Sequence, residues 1–187
     1  MIKVFLITII FWVNFSFAQV QTLRVDFYHT GDAKQEVFSL DQVVIEPLAW
    51  PGSTEQTIDN LNRGKYRFIV KDKASGKVLF TRSFSSIYGE WETTGEAKKI
   101  KRTFHESLRF PQPASLVNIT IEKRDDKHQF QVVWQTEIDP SYYLNHRESA
   151  MYKDQVIAIE HNGSSEEKVD LLIRHLMEKG YILFVKM

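Results

Sequence analysis

Six histidines are the natural starting point for metal or acid–base chemistry: His29, His105, His128, His146, His161 and His175. A zinc-protease helix places two His four residues apart, with a Glu directly after the first to act as base. His105-Glu106 is the one His-Glu pair in the sequence, and the fourth position after His105 carries Arg109. The motif is absent. Alternation around His105 predicts a strand, where a four-residue spacing does not gather two ligands. Lone surface histidines are therefore the ordinary reading, set against a metal centre assembled from distant ones. No Gly-x-Ser-x-Gly elbow and no glycine-rich phosphate loop occurs, so nucleophile and nucleotide chemistry lack a local signature. Cysteine is absent altogether, which removes thiol catalysis, thiolate metal sites and disulfides. These patterns nominate no catalytic residue, no metal ligand and no cofactor.

Glu90, Glu92 and Glu96 flank Trp91. Two carboxylates beside an aromatic platform could serve a glycosidase, but acids in a solvated loop are far commoner. Trp50, Tyr88 and Trp91 fall in loop-like stretches and are the candidates for ligand contact, with a surface glycan or peptide as the partner. Trp134 lies mid-strand and is expected in the core. Lys plus Arg equals Asp plus Glu at 24 each, whereas a nucleic-acid binder usually carries a basic excess or stripe. The cluster Lys98, Lys99, Lys101 and Arg102 sits near Glu92 and Glu96 and reads as a solvated strand face. Nucleic acid is not an expected partner.

Residues 1–18 have the form of a secretory signal peptide. Lys3 supplies a positive start, Val4 to Val13 an apolar run, and Ser16-Phe17-Ala18 a small-x-small exit. Cleavage is expected between Ala18 and Gln19, giving a secreted, periplasmic or cell-surface protein. The rival, an uncleaved anchor, needs about 20 apolar residues, and Asn14 and Ser16 cut this run short. A bacterial lipid anchor would need a Cys at the cleavage site. No other segment is apolar enough to span a bilayer, so no stable membrane insertion is expected after cleavage. Residues 19–187 suffice for one substantial core.

From Leu23 the period is two. Leu23, Val25 and Phe27 alternate with Arg24, Asp26 and Tyr28 up to a Gly31-Asp32 turn, the pattern of a half-buried strand. An ambiguous apolar region from Val37 is expected to end at Pro47, before the loop Trp50-Pro51-Gly52-Ser53. Tyr66–Asp72 and Val78–Phe84 form a hairpin through Ser75-Gly76. Residues 85–97 read as a structured loop. Ile100, Phe104, Leu108 and Phe110 share one face of the next strand, with Lys101, Thr103, His105 and Arg109 opposite. Val117–Glu122 and Phe130–Ile138 follow, joined at Arg124–Lys127, and Pro140 stops the last strand. Strands at this spacing predict an all-β fold, an antiparallel β-sandwich. Tyr142–Asp154 reads as a connection. Beyond it, Ser164-Ser165-Glu166-Glu167 fits a capping box. Val169, Leu172, Ile173, Leu176 and Met177 recur at helical spacing up to Gly180. The expected appendage is a short amphipathic α-helix followed by a strand, Tyr181–Val185.

The stretch from about Thr22 to Arg147 resembles the N-terminal domain of secreted IgA-type peptidases of the M64 metallopeptidase family, common in Bacteroides-like bacteria. Leu23-Arg24-Val25-Asp26-Phe27 with Gly31-Asp32-Ala33 is similar to the family's first strand and turn, and Ser39-Leu40-Asp41 to a Ser-Leu-Asp further on. Asp72–Leu79, Ser83–Tyr88, Glu90-Trp91, Thr94 and Glu96-Ala97 also match, the Phe-Ser-Ser…Glu-Trp run being the most specific. The resemblance implies a β-sandwich accessory domain that precedes a zinc peptidase domain. With the signal peptide read over 1–18, it implies the accessory domain over 19–147 and a connection with a truncated remnant of the peptidase start over 148–187. None of the family's zinc ligands has a counterpart here. The expectation is a non-catalytic accessory domain, truncated or stand-alone, with a peptidase domain as its partner. The resemblance also makes Val169–Ile173 a strand, in conflict with its helical spacing. Without a sheet for that strand to join, the helix is the favoured expectation.

Overall fold

In a computed structural model of the chain, the residues described are 20–142, 144–149, 156–158, 163, 170–174 and 182–186. Strand β1 (Gln21–Gly31) turns at Asp32 and returns as β2 (Glu36–Ala49). Asp32 builds the turn, its Oδ1 accepting from the N–H of Lys34 at 2.8 Å and of Gln35 at 3.0 Å. An Asp carboxylate used this way mimics a backbone turn. The chain then crosses to a second sheet. There β3 (Tyr66–Asp72) and β4 (Val78–Phe84) close a hairpin through Gly76 at φ 69°, a conformation glycine adopts without steric cost. A short helix, α1 (Ile87–Trp91), leads back to β5 (Arg102–Pro111), which pairs with β1. β6 (Val117–Arg124) and β7 (Phe130–Ile138) complete the second sheet, and β8 (His146–Arg147) adds to β2 in parallel. The sheet orders are β5-β1-β2-β8 and β4-β3-β6-β7.

Period-two alternation gives each sheet one apolar face, and the two faces pack together. Leu23, Val25, Phe27, Phe38, Ile45, Leu108 and Phe110 of the first sheet share one cluster with Phe68, Val70, Phe80, Ile119, Ile121 and Ile138 of the second. Trp134 packs against this cluster as its mid-strand position predicts, its ring 5.7 Å from that of Phe27 and 6.0 Å from that of Phe38. Burying each such side chain contributes about 1.5–3 kcal/mol, and with no cysteine in the chain this core must hold the fold. The chain is an antiparallel all-β sandwich. Among the described residues no helix is long and apolar enough to cross a membrane.

Four local expectations need correction. β2 does not end at Pro47. The β1–β2 register slips between Leu23↔Ile45 and Gln21↔Ala49, so Pro47 lies in a bulge, where its missing N–H costs no ladder bond. Residues 85–97 are not all loop, because Ser86 caps α1 by accepting the Gly89 N–H at 2.9 Å. Ile100, expected on the inner face of β5, precedes the strand and is exposed. Finally, β10 (Asp170–Arg174) is a strand, antiparallel to β11 (Ile182–Lys186), which runs parallel to β9 (Val156–Ala158). The helix expected there is wrong over 170–174, and the strand implied by the resemblance holds. A run as short as Leu171-Leu172-Ile173 fits either period; the choice falls to partners, Leu172 opposite Phe184 and Ile173 opposite Leu183. The capping-box residues, Val169, Leu176, Met177 and the expected signal peptide lie outside the described residues.

Candidate functional site

The densest chemistry lies where α1 meets the end of the sandwich. His29 continues the inward row Leu23, Val25, Phe27 along β1 and is 1 % exposed. Register brings two acids beside it: His29 lies opposite Phe38, two residues from Glu36 on β2, and Phe27 lies opposite Glu106 on β5. The His29 Nε2 is 2.9 Å from Glu36 Oε2, and Nδ1 is 3.2 Å from Glu106 Oε2. An ionised carboxylate only accepts, so a carboxylate beside each nitrogen favours the doubly protonated ring, in which both nitrogens donate. Above and below it stack Phe38, at 4.0 Å between centroids, and Tyr88, at 3.8 Å.

The second sheet and the end of α1 complete the cluster. Glu36 Oε2 accepts from the Tyr66 hydroxyl at 2.9 Å and its Oε1 pairs with Lys123 Nζ at 2.9 Å. Lys123 also reaches Glu92 Oε2 at 2.8 Å, and Lys65 Nζ lies 2.5 Å from Glu92 Oε1. The backbone N–H of Tyr88 donates to Glu106 Oε1 at 3.3 Å. Three cations thus face three carboxylates, from β1, β2, β5 and the α1 end on one side and from β6 and Lys65, just before β3, on the other.

The electrostatics follow from this pairing. Burial alone would lower the His29 pKa, but hydrogen bonds to Glu106 and Glu36 outweigh it and hold the pKa above its ordinary value. Burial opposes ionisation of Glu36, yet His29, Lys123 and Tyr66 together bring its pKa down to about 2. Lys123 is pushed up against its own desolvation by Glu92 and Glu36. The Tyr66 and Tyr88 hydroxyls are pushed up by burial and by the nearby carboxylates of Glu36 and Glu92, so both stay neutral donors. With both nitrogens of His29 engaged and the ring enclosed, no lone pair is offered to a substrate. The arrangement fastens α1 to both sheets.

The candidates from sequence lie as follows. Tyr88 is fully buried, and Trp91 is 9 % exposed, packed with Ala97 and Phe104. Neither forms the open loop platform expected of it. Trp50 is half-buried, its ring edge-on to Phe80 at 5.7 Å, and its indole N–H donates to Ser53 O at 3.2 Å. The three acids around Trp91 do not converge as a pair. Glu92 joins the cluster above, while Glu96 accepts from the Trp91 indole N–H at 2.7 Å and from Arg102 at 3.0 Å. His105 is exposed beside Asp41 at 3.1 Å, and His128 occupies a turn at φ 60°. His161 and His175 lie outside the described residues. Among the described residues no group of three His, Cys, Asp or Glu could hold a metal ion, so they do not fit a peptidase zinc.

Sequence reasoning missed His29, Glu36, Glu106, Tyr66, Lys123 and Lys65 as a unit. One signal was present. His29 and Glu106 each occupy an inward position of an alternating strand, where an ionisable group is costly unless paired.

Residues 14–135 match the family model described as peptidase M64 N-terminus. No curated protein matches the chain.

Proposed function

From the premise that this chain belongs to the peptidase M64 N-terminus family, we propose that it is an exported, non-catalytic accessory domain. It positions, shields or helps to fold a zinc peptidase part of that family. The observation that carries the reading is the family match over residues 14–135, which covers the sandwich up to β7. The buried cluster supports it, since His29 and its acids are spent on each other rather than aimed at a cleft. The sequence itself contains no His-Glu-x-x-His helix motif, so peptide-bond cleavage belongs to another part or another chain. Export is supported by Lys3, the apolar run after it and the Ser16-Phe17-Ala18 exit.

The purified chain, incubated with casein or immunoglobulin in the presence of zinc, should show no cleavage that a chelator abolishes. Chelator-sensitive cleavage would overturn the non-catalytic assignment. Export is checked separately by N-terminal sequencing of the protein released from cells, where the first residue should be Gln19.

A further inference from the structure

The stretch after β7 crosses from the second sheet to the first, built first on its own hydrogen bonds around Asp139 and then tied to β2 and Arg24. Asp139 Oδ1 accepts from the Ser141 N–H at 2.8 Å and hydroxyl at 2.6 Å. The Asp139 carbonyl accepts from the Tyr142 N–H at 3.2 Å and from Asn145 Nδ2 at 2.8 Å. His146 and Arg147 then pair with Val44 and Ile45, and the Glu148 N–H donates to Ile45 O at 3.1 Å. At that point the Glu148 carboxylate accepts from Arg24 Nη2 at 2.8 Å.

Arg24 is itself held. Its Nε donates to Asp26 at 2.9 Å and its Nη1 to Glu46 at 3.1 Å. Asp26, 2 % exposed, is fixed in turn by the Ser107 hydroxyl at 2.7 Å and Gln42 Nε2 at 3.0 Å. A planar guanidinium anchored on two sides presents its remaining donors in one direction. Glu148 takes that position.

We infer that Arg24 is a positioning residue: by clamping Glu148 it fixes where the polypeptide leaves the sandwich. The exit lies beside β2 and runs in the direction of that strand, towards exposed Leu48. What it holds is the portion of this chain that follows Ser149. A flexible connector would let the two sides sample many orientations, whereas a strap that leaves β7 and is then bonded to β2 and Arg24 of the first sheet limits them. On the accessory-domain reading this sets the approach to a peptidase part, and the clamp itself does not require that reading.

Hydrogen exchange and trypsin cleavage after Arg147, both on the full chain, test the clamp without any peptidase present. In the unmodified chain the amide of Glu148, which donates to Ile45 O, should be protected. Glu148→Ala leaves Asp26 and Glu46 paired with Arg24. It should raise exchange of the amide at position 148 and cleavage after Arg147 by roughly tenfold, as expected when a charge-assisted hydrogen bond is lost. Arg24→Met should do the same at position 148, and amides of β3 and β6 should exchange as before in Glu148→Ala. The inference fails if Glu148→Ala leaves both rates unchanged, or if the Glu148 amide exchanges like free peptide in the unmodified chain. Neither result bears on whether the sandwich serves a peptidase.

Discussion

His29 ties the fold to pH, because its two nitrogens face Glu36 and Glu106 while the ring is 1 % exposed. Its pKa is raised, so its contribution to stability is complete below the ordinary value of 6.5 and is lost as pH rises through the raised one. Glu36 behaves in the opposite sense. Its pKa falls from 4.5 to about 2, so its contribution is present above 4.5 and disappears as pH falls towards 2. That lowering corresponds to roughly 3 kcal/mol at neutral pH. Urea unfolding followed across pH should therefore weaken on both the alkaline and the acid side. Glu36→Gln should lose roughly 3 kcal/mol at pH 7, within the range for breaking a buried ionic group, and its acid limb should flatten. A loss below about 0.5 kcal/mol would show that the cluster does not hold the fold.

Among the elements, β7 illustrates how far alternation carries. Trp134 faces inward on pattern and packs on Phe27 and Phe38, so Trp134→Ala should cost about 3 kcal/mol in denaturant unfolding. A loss near zero would mean that the ring is dispensable to the sheet contact. At β10 and across Pro47 the pattern misleads, for one reason: both depend on which strand lies alongside. Five residues fit a strand or a helix until β11 is placed beside them, and a proline is tolerated in β2 because a bulge falls there. Helix α1 went unseen because it is one turn long, and its cap at Ser86 resembles any serine-rich loop.

At the scale of the molecule, the sandwich protects its edges. β8 covers β2 at Val44 and Ile45, while the Thr81 and Ser83 N–H groups of β4 are satisfied by Thr57 O at 3.0 Å and Asp59 Oδ2 at 2.8 Å. β5 carries Arg102, His105 and Arg109, and β7 is bulged between the partners of Ile121 and Glu122. Each device discourages strand addition by another chain. The ionic cluster joins both sheets to α1, so the sandwich should unfold as one unit. Far-ultraviolet dichroism should share its midpoint with tryptophan fluorescence from Trp50, Trp91 and Trp134. An earlier transition that disappears in Trp91→Phe would show instead that α1 opens separately.

The sequence alone determined the sheet class, most strand positions, the inward rows of β1 and β6 and the lack of a His-Glu-x-x-His motif. These depend on period, turn residues and residue type, all of which are local. Only the tertiary structure decided that His29, Glu36, Glu106, Glu92, Lys123 and Lys65 meet, that Tyr88 and Trp91 turn inward, and that Arg24 reaches Glu148. Those contacts join residues as far as 124 positions apart, and strand register across the two sheets, which no local pattern encodes, brings them within hydrogen-bonding distance.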